Sequence, residues 1–278
     1  MHSQILLNNG FPVRILELEA KGINGIRGKT AIHFNPCINV IWGIEGLDKT
    51  AVLRILENAF FDSKRIRKNI FCSAGDYKIT CSSLNGKMEI IHNRITGSAP
   101  YSYGPNQPLH IKSGISNWFI KRTLFADKDE DVTGNQRLNY HLARECFSLL
   151  DPELSFQGIK TGTGDVIIKT PGGSVPFDYL SRGYQNCICQ IHTMIKGAEQ
   201  AGRDEDICVR DFRGCILVEE IEEGISPSLQ IQLLAALRKI FPKTQLIITS
   251  SSPYILQSLY SDEIILVVKD RKGGVQYR

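Results

Sequence analysis

An apolar run that ends in a glycine-rich, lysine-bearing turn constrains this chain more than any other feature. Ile38-Asn39-Val40-Ile41-Trp42 leads directly into Gly43-Ile44-Glu45-Gly46-Leu47-Asp48-Lys49-Thr50. Apolar residues then recur at helical spacing: Val52, Leu53, Ile55, Leu56, Ala59 and Phe60. A strand buried on both faces, a loop and a helix packed on the same sheet form a cradle for phosphate. Backbone N–H groups and the helix dipole converge there on an anion. The expected pattern is G-x-x-x-x-G-K-[ST], and Asp48 stands where the second glycine belongs.

A second segment complements the first. Ile216-Leu217-Val218 is apolar and runs into Glu219-Glu220. A strand ending in two carboxylates holds Mg2+ and orients an attacking water. Together the two segments predict a nucleotide-binding protein, with Gly43, Gly46, Asp48, Lys49 and Thr50 at the phosphates.

Bulk properties narrow the class. At 278 residues the chain is long enough for one large or two modest domains. A net charge of +4 permits nucleic-acid contact without arguing for it. The sequence shows no signal-peptide layout and no apolar run near the 18 or so residues that span a bilayer, so the expected compartment is the reducing cytoplasm. The eight cysteines contain no CxxC, only Cys187-Ile188-Cys189, and read as small buried apolar residues.

Along the chain, Val13–Leu18 reads as a strand paired with Thr30–Phe34. Tyr77–Cys81 and Met88–Ile91, joined through Asn85-Gly86, read as a hairpin because both turn residues tolerate positive φ. The polar stretch 95–135, ending in the acidic run Asp127–Asp131, reads as long loops anchored by Trp118-Phe119-Ile120. A helix follows at about 136–150. A hairpin of Val166–Lys169 and Val175–Phe177 leads into Leu180-Ser181-Arg182-Gly183 and a helix to about Ala198; 196–207 reads as a charged loop. Pro227 opens another helix. Gln245–Thr249 is a buried strand, Ser250-Ser251-Ser252-Pro253 begins a helix, and the tail is a hairpin about Gly273-Gly274. Lys64-Arg65-Ile66-Arg67-Lys68 is a basic cluster that reads first as a solvated face and second as a nucleic-acid contact.

The order of the motifs resembles the ABC-type ATPase heads of the RecF, SMC and OLD kind. It resembles still more the predicted ATPases of bacterial retron, Septu and other anti-phage systems. The resemblance covers about residues 13–60 and 175–268. Leu180-Ser181-Arg182-Gly183 matches the L-S-x-G signature. Val218-Glu219-Glu220-Ile221-Glu222-Glu223-Gly224-Ile225-Ser226-Pro227 matches the Walker B run, and Gln245-Leu246-Ile247-Ile248-Thr249-Ser250-Ser251-Ser252-Pro253 the switch strand.

This resemblance implies an α/β fold of the ABC-type P-loop NTPase class. It would have a mixed sheet with helices on both faces, an antiparallel β arm and a small inserted helical region. The whole chain, 1–278, would be one head, with core lobes 13–62 and 175–278 and an insert at 63–174. ATP and Mg2+ are the implied cofactors. Lys49 would neutralise phosphate oxygens, Thr50 and Glu219 would take the metal, and Glu220 would position water. Ser181 and Gly183 would complete the site of a second copy, so the implied assembly is a homodimer or larger. Because the chain stops soon after the switch strand, the expected effector, such as a nuclease, is a separate chain; a nucleic-acid partner is open and no membrane partner is expected.

Three departures meet at the phosphates. Asp48 replaces glycine, Ser251 replaces the switch histidine, and Asn24 stands where relatives often carry Arg. A carboxylate about 4 Å from one phosphate charge is repelled by roughly 4 kcal/mol at an effective dielectric near 20. ATP hydrolysis, the expected activity, is therefore expected to be slow. The alternative is a nucleotide-independent pseudo-ATPase scaffold that holds an effector or nucleic acid.

Overall fold

The computed structural model describes residues 4–7, 14–22, 26, 28–60, 76–83, 86–91, 94–97, 109–110, 117–125, 132–201, 206–269 and 275–278. Asn24, Lys64–Lys68, Asn85, Asp127–Asp131 and Gly273-Gly274 lie outside the described residues. In chain order the strands and helices are β1 (Gln4–Leu7), β2 (Arg14–Lys21), β3 (Thr30–His33), β4 (Ile38–Trp42), α1 (Thr50–Phe60), β5 (Asp76–Ser83), β6 (Gly86–Ile91), β7 (Arg94–Gly97), β8 (Leu109–His110), α2 (Asn117–Phe125) and α3 (Gly134–Leu150). They continue with β9 (Ser155–Ile159), β10 (Val166–Thr170), β11 (Gly173–Pro176), α4 (Arg182–Ala201), β12 (Cys215–Val218), α5 (Pro227–Ile240), β13 (Gln245–Ser250), α6 (Pro253–Gln257), β14 (Ile264–Lys269) and β15 (Val275–Tyr277).

Two compact units emerge. The first gathers Ser3–Pro108, Arg213–Ile221 and Thr244–Arg278. Its mixed sheet runs β15-β14-β4-β13-β12-β1. β12, β13, β4 and β14 are mutually parallel, whereas β1 and β15 pair antiparallel at either end. β12 is a continuous apolar run, and every residue of β12 and β13 is buried, as in strands covered on both faces. β4 presents Ile41, and α1 presents Val52, Leu53, Ile55, Leu56 and Phe60, to one apolar cluster. Leu18, Ile32, Ile79 and Ile90 enter that cluster from an antiparallel sheet ordered β3-β2-β5-β6-β7.

Gln245 ties the two sheets of this unit together. Its side chain is fully buried. Its Oε1 accepts from the Ile15 N–H at 2.8 Å, and its Nε2 donates to Ile15 O at 2.8 Å and Asn35 O at 2.9 Å. An amide that meets both backbone groups of one residue in β2 leaves no buried polar atom of its own unanswered.

The second unit gathers Met1–His2, Leu109–Phe212 and Glu222–Lys243. It holds α2, α3, α4, α5 and a small antiparallel sheet ordered β11-β10-β9. Two sequence expectations change here. Asn117–Phe125, expected as part of a loop region, is a helix, because Phe119 is fully buried against Phe147, Phe156 and Tyr140 and Arg122 pairs with Glu199 at 2.7 Å. α4 continues to Ala201 rather than giving way to loop at 196, because Ala198 is buried and Glu199 also accepts from Trp118 Nε1 at 3.0 Å. β9, which its sequence did not announce, pairs with β10 across an irregular register. The described cysteines form no disulfide; Cys81, Cys146, Cys187, Cys189 and Cys215 are buried as expected, whereas Cys37 is exposed and Cys208 half-buried. No described helix is long and apolar enough to cross a membrane.

His192 on α4 sits inside the aromatic cluster of this unit. Its ring stacks on Phe119 at 4.6 Å between centroids and meets the edge of Phe147 at 5.7 Å. Nε2 reaches Ala143 O at 2.9 Å, while buried Nδ1 has no hydrogen-bond partner. Burial lowers its pKa to about 4, against an ordinary value of 6.5. The unfolded chain therefore takes up a proton between pH 6.5 and 4 that the folded chain refuses, and stability falls as pH drops through that window. His192→Gln should remove about one proton from that dependence. Denaturant titrations between pH 7 and 4 should show a slope shallower than wild type by up to about 1.4 kcal/mol per pH unit.

Candidate nucleotide site

The parallel register places three strand ends side by side. Ser250 of β13 lies opposite Trp42 of β4, and Val218 of β12 lies opposite Ile248. The loop after β4, the carboxylates after β12 and the serines after β13 therefore leave the sheet at one edge, where open parallel sheets take their ligands.

The loop is packed on its own unit. A Cβ on Gly43 would come 3.0 Å from Val267 Cβ and 3.3 Å from Val267 O, so a side chain here would press on β14. The Gly43 N–H donates to Ser250 O at 3.2 Å. Gly46 turns at φ +82°, and Leu47 drops into the apolar cluster. Lys49 is only 7% exposed, and its ammonium donates to Ile44 O at 3.3 Å, inside the loop. The Lys49 N–H donates to Leu47 O at 2.8 Å. Asp48 is half-buried with φ outside the left-handed range, and its carbonyl accepts from the Tyr277 hydroxyl at 2.9 Å.

At the carboxylates, Thr50 Oγ1 donates to Glu219 Oε1 at 2.8 Å, directly joining the two residues expected at the metal. Glu220 has φ +46°, an unusual backbone for a residue with a side chain. Its N–H donates to Thr249 Oγ1 at 2.9 Å, and the next N–H, of Ile221, donates to Thr249 O at 3.3 Å. Thr249 thus fixes the turn that presents Glu220. Glu57, on α1, is pushed up to about 7 by burial and by the charge of Glu219. Among the described residues no three or more His, Cys, Asp or Glu side chains gather as a metal site.

Ser251 follows the end of β13. Ser252 caps α6, its Oγ accepting from the Tyr254 and Ile255 N–H groups, and its carbonyl accepts from Trp42 Nε1 at 2.9 Å. Trp42 therefore braces the switch segment.

The signature belongs to the other unit. Ser181 Oγ accepts from the Tyr184 N–H at 3.3 Å, at the start of α4. A Cβ on Gly183 would come 3.3 Å from the Ser226 N and 3.4 Å from Gly224 O, so the helix start and the segment before α5 meet backbone to backbone. Ser181 and Arg182 are exposed. Gly43, Gly46, Asp48, Lys49, Thr50, Glu219, Glu220 and Ser251 thus share one unit, and Ser181 and Gly183 lie in the other. Motif reading passed over Thr249, Glu57 and Tyr277. Thr249 lies within the switch match, but Glu57 and Tyr277 belong to no motif.

The fold is of the ABC-type P-loop NTPase class, α/β with a mixed sheet and an antiparallel arm. The SMC head domain from Thermotoga maritima superposes with a TM-score of 0.59 at 13% identity, over 95% of this chain and 98% of that one. An Smc head bound to the C-winged helix domain of ScpA gives a TM-score of 0.54 at 13% identity, over 95% and 96%. In sequence, the chain is similar to the Septu protein PtuA of Bacillus thuringiensis, 29% identical over 95% of this chain and 78% of that protein. No protein-family profile matches the chain. The resemblance read from the motifs is borne out in fold and in relatives.

Gly43→Ala should force Val267 or the loop to shift. Denaturant unfolding should show a loss of about 1–3 kcal/mol. An unchanged midpoint would mean that the loop is not pressed on β14.

Proposed function

We propose that this protein is an ATP-binding ABC-type ATPase subunit of a bacterial anti-phage system. It closes head to tail with a second copy around nucleotide and controls a separate effector protein. The observation that carries the reading is the Thr50–Glu219 hydrogen bond of 2.8 Å beside the buried Lys49. A hydroxyl and a carboxylate at a helix N-terminus are hard oxygen donors that would suit Mg2+, whose charge would offset that of a phosphate. The fit is good: the loop encloses a cation, and the donors are oxygens.

Each residue then has a task. The loop amides and Lys49 hold the phosphates, while Thr50 and Glu219 hold Mg2+, which neutralises phosphate charge. Glu220, exposed on a turn with φ +46°, orients the attacking water. Ser251, in place of histidine, offers only a hydroxyl at the γ-phosphate side. Ser181 and Gly183, at the N-terminus of α4, serve the nucleotide held by the second copy. The Septu relative supports the defence context, and the ScpA-bound neighbour supports a partner protein seated on the head. The scaffold reading also has an observation in its favour, because the Lys49 N–H is already spent on Leu47 O.

ATP with Mg2+ should stabilise the protein by about 2.7 kcal/mol at 100 times its Kd. No thermal shift at millimolar ATP would favour the scaffold. Asp48→Gly should tighten binding at least tenfold, about 1.4 kcal/mol, and Glu220→Gln should abolish the slow turnover while leaving binding intact. Ser181→Arg should remove nucleotide-dependent dimerisation in sedimentation runs without unfolding the monomer. A dimer that persists would place the pairing on another surface.

A further inference from the structure

Tyr277, a side chain outside the motifs, grips the phosphate loop's backbone. It closes β15, opposite Val267 of β14, the residue against which Gly43 packs. The ring is buried, and its hydroxyl donates to Asp48 O at 2.9 Å. Burial, and then the charge of Asp48, raises its pKa, so the hydroxyl stays protonated and remains a donor.

The consequence follows from peptide geometry. In a trans peptide the C=O and the following N–H point in opposite directions. With Asp48 O held by Tyr277, the Lys49 N–H faces the other way and closes a γ-turn onto Leu47 O at 2.8 Å. That N–H belongs to the helix N-terminus, the place where a phosphate is cradled. While the γ-turn is closed, the amide is not free to donate to an anion.

We propose that Tyr277 is a positioning residue that latches the phosphate loop: its hydroxyl holds the Asp48–Lys49 peptide with the Lys49 amide turned inward, and ATP must rotate that peptide to gain the amide. The inference rests on the proposed ATP-binding reading for its ligand, though not for the latch itself. The latch lies in the β14–β15 hairpin, so any event that shifts this hairpin alters the loop's readiness for phosphate.

Tyr277→Phe removes the hydroxyl and keeps the ring in its packing. Two measurements on the full chain test it. Hydrogen–deuterium exchange over residues 44–50, without nucleotide, should rise several-fold in the variant. Titration with ATP and Mg2+ should show affinity raised about threefold to tenfold. Unchanged exchange, or weaker ATP binding in the variant, overturns the latch; weaker binding would mean that Tyr277 pre-forms the site. If exchange rises but neither protein binds ATP, the latch stands and the nucleotide reading falls. If both bind equally with unchanged exchange, the nucleotide reading stands and the latch falls.

Discussion

Parallel pairing of β12, β13 and β4 is the constraint on which the rest depends. It brings the ends of β12, β13 and β4, at Val218, Ser250 and Trp42, to one side of the sheet, and each is followed at once by a segment of the candidate site. A slip of one residue would turn the strand faces over and carry Thr249 away from the Glu220 N–H. Burial holds the register. β13 is covered on both faces, and Gln245 at its start is pinned to Ile15 and Asn35 by three hydrogen bonds of 2.8–2.9 Å. Losing any one of them would strand a buried polar group at about 1–3 kcal/mol, so the sheet resists sliding at the end opposite the site.

The site stores distortion that this scaffold supports. Glu220 at φ +46° would relax if its N–H and that of Ile221 were not both held by Thr249. Lys49 keeps a charge almost out of water, with Ile44 O as its partner. Glu57 carries a carboxyl whose pKa burial and Glu219 raise to about 7. Each arrangement is expensive alone, and together they fit a site that is completed by a polyanion with its cation.

Legibility in the sequence followed the range of the interactions. β4, the loop, α1, β12 and β13 were readable because one strand, one turn or one helical stripe encodes each. The β5–β6 and β10–β11 hairpins were readable for the same reason. α2 was not, since its nine residues mix apolar and basic side chains without a clear helical stripe, and they become a helix only when Phe119 and Arg122 find α3 and α4. β9 has no alternation strong enough to announce it, and β10 recruits it across an irregular register. Glu57 carries no sequence signal of its own, because its carboxyl is raised by burial and by Glu219, 162 residues away in sequence. Tyr277 could not be read as a site residue, because nothing local says that a tail tyrosine reaches back to Asp48.

Asp48 is where sequence and structure weigh the same departure differently. Read as a missing glycine, it predicts both a steric and an electrostatic penalty at the phosphates. In the structure the steric part is dormant, because Asp48 does not adopt the left-handed backbone for which glycine is needed. Its peptide is instead held from both sides, by Tyr277 on the carbonyl and by Leu47 O on the following N–H. A side chain at this position therefore weighs chiefly on the rotated peptide that an anion would require, together with the charge that a carboxylate sets beside it. Aspartate and the self-bonded loop agree with one another, and both stand against easy phosphate entry. The same loop nonetheless keeps its lysine, its threonine and the Glu219 that accepts from that threonine. A loop drifting into a purely structural turn has no need of a buried ammonium or of a hydroxyl aimed at a carboxylate. Their retention is the physical ground for reading slow, gated nucleotide binding in preference to none.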